Sequence, residues 1–212
     1  METTNRNAKM RPRLTAKGKQ TRTRIVAEAA ALMFEHGVAG TTVEDVQRAA
    51  RVSASQLYHY FKEKKELVLA VVEHQIDEVL EAQQPLLSRL DSFEALQTWC
   101  DAIVALQEQR HCRGGCPIGS LASELSELEP EARDGLAAGF ARWEARIRAG
   151  LQTMRERGKL APEADPARLA LGLLAALQGG LLLTQVRRET PPLRAALDMA
   201  MGHIRSFDAI RN

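Results

Sequence analysis

The chain has 212 residues, 45% hydrophobic but only 4% aromatic, with a formal net charge of +2. An interior of Leu, Ala, Val and Ile favours helix over sheet and suffices for one large or two small domains. Three cysteines, an odd number, do not make a disulfide framework and point to a cytoplasmic protein, and the basic N-terminus has no apolar run behind it, so it does not read as a signal peptide.

The charge is unevenly divided. Residues 1–24 hold eight basic residues against Glu2 alone, a net +7, which leaves −5 for the rest. A basic end on a mildly acidic body points to a polyanion partner. Residues 1–17 are polar and pattern-free and read as a disordered basic arm. That arm either enters a minor groove or is a solvated tail.

A first helix is expected from Gly18 to His36, with Ile25, Ala29, Leu32 and Met33 on one stripe and Gly37 as its C-terminal cap. Two short helices follow. Ser53-x-x-Gln56 is a full capping box and Thr42-x-x-Asp45 a near one. Val43, Val46, Ala50, Val52, Leu57 and Phe61 face inward. Ser55, Gln56, Tyr58, His59 and Tyr60 crowd the outer side of the second helix with hydrogen-bonding groups. Such a rod, dry on one side and donor-rich on the other, fits a DNA major groove.

A long helix is expected from about Glu63 to Gln84, ending at Pro85. Asp91 or Ser92 caps the next, which runs to about Arg110. The segment from His111 to Pro117 reads as a loop, followed by a short helix from about Ile118 to Leu128. Pro130 opens a long helix closed by Gly158. Asp165-Pro166 opens another, to about Arg188, and a last amphipathic helix follows Pro191-Pro192. No strand-like alternation appears. The apolar run Leu169–Leu183 is 15 residues and contains Gln178; a membrane span needs about 20, so it reads as a buried helix. A helix apolar on nearly every side needs cover on every side. A second copy of the chain supplies it most simply, through a four-helix contact with the last helix in which Gly172, Gly179 and Gly180 permit close approach.

The head resembles the Tet repressor (TetR/AcrR) family of transcriptional regulators. The matching residues run from Ile25-x3-Ala29-x2-Leu32-x-Phe34 and His36-Gly37, through Thr42-x3-Val46, to Val52-Ser53-x3-Leu57-Tyr58-x2-Phe61-x2-Lys64-x2-Leu67. Gly115–Leu121 and Leu177–Leu181 look like a subgroup similar to multidrug- and antibiotic-resistance repressors. Arg51 departs from the pattern, which usually has Gly there. The resemblance implies an all-α fold with a helix-turn-helix head over residues 18–66 and an effector-binding and dimerisation domain over 67–212. It implies a homodimeric repressor on a pseudo-palindromic operator, released by a small apolar or aromatic effector, with the fourth helix as lever.

Within that frame the residue roles divide. Gln56 either pairs with an adenine or only closes the capping box. Ser53 and Ser55 sit beside it. His59 meets a base or a phosphate, or is a surface histidine. The resemblance points the Tyr58 hydroxyl at a phosphate, with a place in the helix seam as the alternative, and Tyr60 is similar. Thr42 and Lys64 are expected on phosphates. Trp99, Ile103, Cys116, Phe140 and Trp143 are either core or the lining of an effector cavity. Gln178, polar in an apolar helix, needs a partner: an effector, another side chain, or its own counterpart across the dimer.

His111, Cys112 and Cys116 leave a second reading open, a thiol- or metal-responsive sensor, with Arg110 and Arg113 near enough to lower a thiol pKa. Zinc would lack a fourth ligand, and no metal or cofactor is expected. Glu108-x-x-His111 is half of a di-metal motif without its second copy. With no phosphate-binding glycine loop and no glycine-flanked nucleophilic serine, an enzyme is not expected.

Overall fold

The computed structural model describes residues 14–209, so most of the expected basic arm lies outside the described residues. Among the described residues are nine α-helices and one 3₁₀ turn. The head is α1 (Ala16–Gly40), α2 (Val43–Ala50) and α3 (Ala54–Tyr60). Its first turn starts two residues before the expected boundary, because Thr15 is a competent N-cap whose side chain accepts the Gly18 N–H at 3.1 Å. Near its other end α1 kinks at Gly37, whose φ of 77° suits a residue without Cβ.

The second and third helices have 8 and 7 residues, and isolated helices need about 12–15 to persist in water. They exist because each carries a reciprocal capping box and an apolar anchor. Val46 and Ala50 anchor α2, and Leu57 with the following Phe61 anchors α3, all of them buried. Arg22 of α1 lies 5.1 Å over the Phe61 ring, a cation–π contact that ties the two ends of the head together.

The long α4 (Lys64–Glu81) runs out of the head into the body, with Leu67 and Val68 at one end and Ile76 and Leu80 at the other all buried. It is the shared strut, packing on α1, α6 and α7. The turn Leu86–Ser88 leads to α5 (Phe93–Gln109), capped by Ser92. Then come α6 (Pro117–Leu125), α7 (Pro130–Glu156), α8 (Pro166–Arg187) and α9 (Pro191–Arg205). The short α6 begins and ends earlier than the sequence suggests. Cys116, read there as a loop thiol, is its N-cap: Sγ accepts the Gly119 N–H at 3.4 Å.

By length and composition α8 is apolar enough to cross a membrane. In the fold one side packs on α7 and α9, while Leu171, Leu182, Leu183 and Val186 are exposed. At Gly180 a Cβ would come within 3.0 Å of Leu193 Cα on α9, whereas nothing lies within 4 Å of one at Gly172 or Gly179. Of these three glycines of α8, Gly180 alone serves close approach inside the chain.

A sharper constraint sits at Gly150, where a Cβ would lie 2.3 Å from the Leu90 carbonyl oxygen. A backbone atom cannot swing away as a side-chain tip can. Gly150→Ala is expected to destabilise the body by about 1–3 kcal/mol through overpacking, despite Ala's better helix propensity. Gly172→Ala, with open space, is expected to be neutral or stabilising. Urea unfolding of both variants checks the pair.

Candidate nucleic-acid interface and effector cavities

Ser53, Ser55, Gln56, Tyr58 and His59 are all exposed on or beside α3, while Leu57 between them is 2% exposed. The helix thus turns one apolar side chain in and a row of polar ones out. Tyr60 leaves this row. It is half-buried, packed on the core, with its hydroxyl near Gly18 at the start of α1 and its ring edge-on to His59 at 5.1 Å.

The polar row is already partly engaged. Gln56 Oε1 accepts the Ser53 N–H at 2.9 Å, and Ser53 Oγ accepts the Gln56 N–H at 3.2 Å and lies 3.0 Å from Ser55 Oγ. The capping role of Gln56 is therefore real in the free chain, and an adenine contact must share Oε1, which has a second lone pair, with the cap. The amide Nε2 remains to supply a donor.

Thr42 departs further from expectation. Its hydroxyl donates to Asp45 Oδ2 at 2.6 Å and accepts the Asp45 N–H at 3.1 Å, and the Thr42 N–H goes to the same carboxylate. This box is complete, not near. It fills the N-terminus of α2 with an anion, and Glu44 adds a second, negative charge that any phosphate at this helix end would have to face. Hydrogen bonds from the Thr42 side chain and then its backbone hold the Asp45 carboxyl below its ordinary 3.8. Its help to the cap is thus present above that value and fades as the pH falls through the lowered one.

Lys64 is also committed: its Nζ donates to the Val38 carbonyl at 2.8 Å. On the other side of Val38, the N–H donates to Glu124 Oε2 of α6 at 2.7 Å. One residue at the α1–α2 corner is thus held by α4 through its carbonyl and by the body through its N–H. Glu124 was not legible as a functional residue, since nothing in the sequence pairs it with a position 86 residues away.

The expected effector residues divide between two cavities. One, about 790 Å³, lies among α6, α7 and α8, with Cys116, Phe140, Gln178 and the exposed Leu171 and Leu182 in its wall. The other, about 350 Å³, takes in Ile103, Trp143, Cys116 and Gln107, and reaches the head at Ala30 and Phe34. Cys116 and Leu181 belong to both walls. Trp99 belongs to neither: it is buried core, and its Nε1 donates to Gln83 Oε1 at 2.9 Å. Among the described residues three buried side-chain polar atoms meet no partner: Gln107 Oε1, Trp143 Nε1 and Gln178 Nε2. All three residues line these cavities. Gln107 was missed, although the same signal that marks Gln178 was present, a polar residue on the apolar stripe through Leu96, Cys100 and Ile103.

All three cysteines are free and buried. Burial pushes the Cys116 thiol up, against the pull of the Gly119 N–H and the nearby Gln178 amide, and pushes Cys100 to about 12. That is opposite to the lowering a thiol switch at Cys116 would need. Among the described residues no group of three or more His, Cys, Asp or Glu is placed to hold a metal. Glu108, read as half of a metal motif, is ion-paired to Arg194 at 2.8 Å.

A helix-turn-helix head on a helical body with internal cavities defines a class, the one-component transcriptional regulators. Residues 25–71 match the family described as bacterial regulatory proteins, tetR family, and residues 92–200 match the tetracyclin repressor-like C-terminal domain. The chain belongs to the TetR family and is a DNA-binding transcriptional regulator, not an enzyme. Over 85% of its length it is 29% identical to an HTH-type transcriptional regulator of the lacX 3′ region of Lactococcus lactis subsp. lactis, covering 91% of that protein. It is 26% identical to the HTH-type transcriptional repressor NemR of Escherichia coli K12, over 89% of this chain and 94% of that one. A TetR regulator from Chloroflexus aurantiacus superposes with a TM-score of 0.77 at 30% identity, covering 90% of this chain and 96% of that one.

Two variants separate the roles of α3. Gln56→Glu keeps the capping acceptor, since Glu serves the box equally, but removes the amide donor. It is expected to leave thermal stability nearly unchanged and to cost about 1–3 kcal/mol of operator discrimination. Gln56→Ala loses both. Equal operator binding by parent and Gln56→Glu in a titration against matched and mismatched duplexes would remove Gln56 from base readout.

Arg51, at φ 50° and ψ 52°, is a left-handed cap at the end of α2, which explains the glycine usual there. The strain costs a non-glycine residue roughly 1 kcal/mol. Arg51→Gly is therefore expected to raise stability by up to about that amount. If the guanidinium meets a phosphate, the same variant flattens the dependence of log affinity on log salt by about one unit.

Proposed function

We propose that this chain is a homodimeric repressor that binds a pseudo-palindromic operator and is released by a small molecule entering the body. The observation that carries the reading is the placement of α6. Its first residues border both cavities, and Glu124 near its last turn bonds Val38 in the head. A molecule that displaces the start of α6 thereby moves a group bonded to the head. Lys64, at the first turn of α4, holds the same residue, so α4 and α6 act on one point. The effector must favour the conformer whose heads are misplaced for DNA; equal affinity for both conformers shifts nothing.

Base contacts are assigned to Gln56, Ser55 and His59, and phosphate contacts to Tyr58, Ser53 and the basic N-terminal residues. Thr42, Tyr60 and Lys64 are assigned to holding the head together rather than to DNA. The action is placed in the cytoplasm, where the operator is.

The dimer is assigned to α8 and α9. Leu171, Leu182 and Val186 recur at helical spacing on the open side of α8, with Gly179 between them and Met199 exposed on α9. An apolar stripe of this kind is costly in water. A second copy buries it by two-fold symmetry and fixes the separation of the two α3 helices near one helical turn of DNA. The relatives include the repressor NemR, which supports the sign of the regulation.

Val186→Arg places a charge in the proposed seam without touching the core, since Val186 is 73% exposed. It is expected to give a folded monomer by analytical ultracentrifugation and to weaken binding to the duplex upstream of the coding sequence by at least about a hundredfold, because each half-site then binds alone. A variant that stays dimeric, or a monomer that binds as tightly as the parent, sinks this arrangement.

A further inference from the structure

The smaller cavity carries chemical information beyond its size. At about 350 Å³ it suits one ring with a substituent or two. Most of its wall is apolar: Ala30, Phe34, Ile103 and Leu181 face it from three helices. Two exceptions stand out. Trp143 and Gln107 are each 2% exposed, and Trp143 Nε1, a donor, and Gln107 Oε1, an acceptor, have no hydrogen-bond partner. Trp99 offers the contrast within the same body, since its indole N–H is fully engaged by Gln83. A buried polar atom left unpaired is costly, so two on one cavity wall amount to a standing demand for a complementary molecule.

Charge narrows the class. Apart from the buried Cys116 thiol, whose anion burial disfavours, the ionisable residues of this wall, His74, Glu78 and Arg110, are half-buried or exposed, so they stand at the mouth, not in the depth. An ion carried to Trp143 and Gln107 would lose its water without a buried counter-charge. A wholly apolar molecule would leave both orphan atoms unmet.

We propose that the smaller cavity recognises a neutral molecule with an apolar body and a head that both donates and accepts a hydrogen bond, such as an alcohol, a phenol or a primary amide. The head accepts from Trp143 Nε1 and donates to Gln107 Oε1, while the body lies along Ile103, Leu181 and Phe34. This rests on the effector reading above and refines it: the ligand is apolar in bulk but must be polar at one end. Because Ala30 and Phe34 belong to α1, the molecule would touch the head directly as well as through α6.

The test uses five probes of nearly one shape on the full-length protein: benzamide, benzyl alcohol, toluene, benzoate and benzylamine. Dissociation constants are read by NMR titration, and the two indole N–H resonances report which tryptophan is engaged, Trp143→Phe assigning them by loss of one. Benzamide and benzyl alcohol are expected to bind about tenfold or more tightly than toluene, as two neutral hydrogen bonds would give, and to shift the Trp143 N–H but not that of Trp99. Benzoate and benzylamine are expected to bind more weakly than benzamide. Trp143→Phe keeps the ring and loses the donor, and Gln107→Met keeps the length and loses the acceptor; each should erase most of the preference over toluene.

Toluene binding as tightly as benzamide, tighter binding of either ion, no binding of any probe, or a preference that survives both substitutions overturns the proposal. Release of the operator is measured separately by fluorescence anisotropy. Selective binding without release defeats the effector reading and leaves the cavity chemistry standing. Release by molecules that ignore Trp143 and Gln107 does the reverse.

Discussion

The Val38 peptide is the point on which the two halves of this protein depend. Its N–H is held by Glu124 and its residue's carbonyl by Lys64. The first bond comes from α6 in the body and the second from the start of the connecting helix α4. Charge-assisted hydrogen bonds of this type are shorter and stronger than neutral ones, and Val38 is buried, so water does not replace either partner cheaply. The kink at Gly37 makes the arrangement possible. A side chain at Gly37 would lie 3.1 Å from Glu124 Oε2 and would have to adopt φ 77°, so glycine answers both to backbone conformation and to the approach of Glu124. The outer ion pairs between Lys65 and Glu129 and Glu131 sit in solvent, where such pairs contribute little. They accompany the contact and do not define it.

The head illustrates how local signals and tertiary packing share the work. Capping boxes at Thr42 and Ser53 were legible because they are local: the spacing of four residues states the geometry. The inward positions were legible because helical periodicity is local as well. What each polar group does once the caps close was not legible. The Thr42 hydroxyl and the Lys64 ammonium have the chemistry of phosphate ligands; for Thr42 the sequence offers Asp45 as a rival through the near capping box, and for Lys64 it offers none. The rivals are Asp45 Oδ2, whose side chain turns back on the cap, and the Val38 carbonyl, brought near by folding over 26 residues. A donor's chemistry can be read from sequence; its occupancy cannot.

The body follows the same division. Helix order, the proline-opened starts of α7, α8 and α9, and the all-round apolar character of α8 could be read in advance. The partition of the aromatic residues could not. Trp99 and Trp143 look alike in sequence, each on an apolar stripe of a long helix. Trp99 donates to Gln83, just past the end of α4, and is satisfied, whereas Trp143 lines a cavity and its N–H is not. Cys116 changed meaning for a similar reason. A thiol in a Gly- and Pro-rich loop invites a redox reading, but as the N-cap of α6, 7% exposed, it is a wall residue whose anion is disfavoured.

Placing α8 at the centre of the body gives it three duties that constrain one another. Leu173, Leu177 and Leu181 are buried, Gln178 lines the larger cavity, and Leu171, Leu182 and Val186 stay outside. A 22-residue helix has about six turns, and this one spends residues on all of its faces, leaving few free for charge. That explains why the helix reads as a candidate membrane span while serving a different solvent problem. It also links the cavity to the proposed seam, because Leu171 and Leu182 belong to both. In the proposed dimer, a molecule that widens the larger cavity presses on the same residues that meet the second copy. Dimer geometry and cavity volume would then be coupled through side chains in direct contact, and the proposed release would need no long relay from the body to the spacing of the two heads.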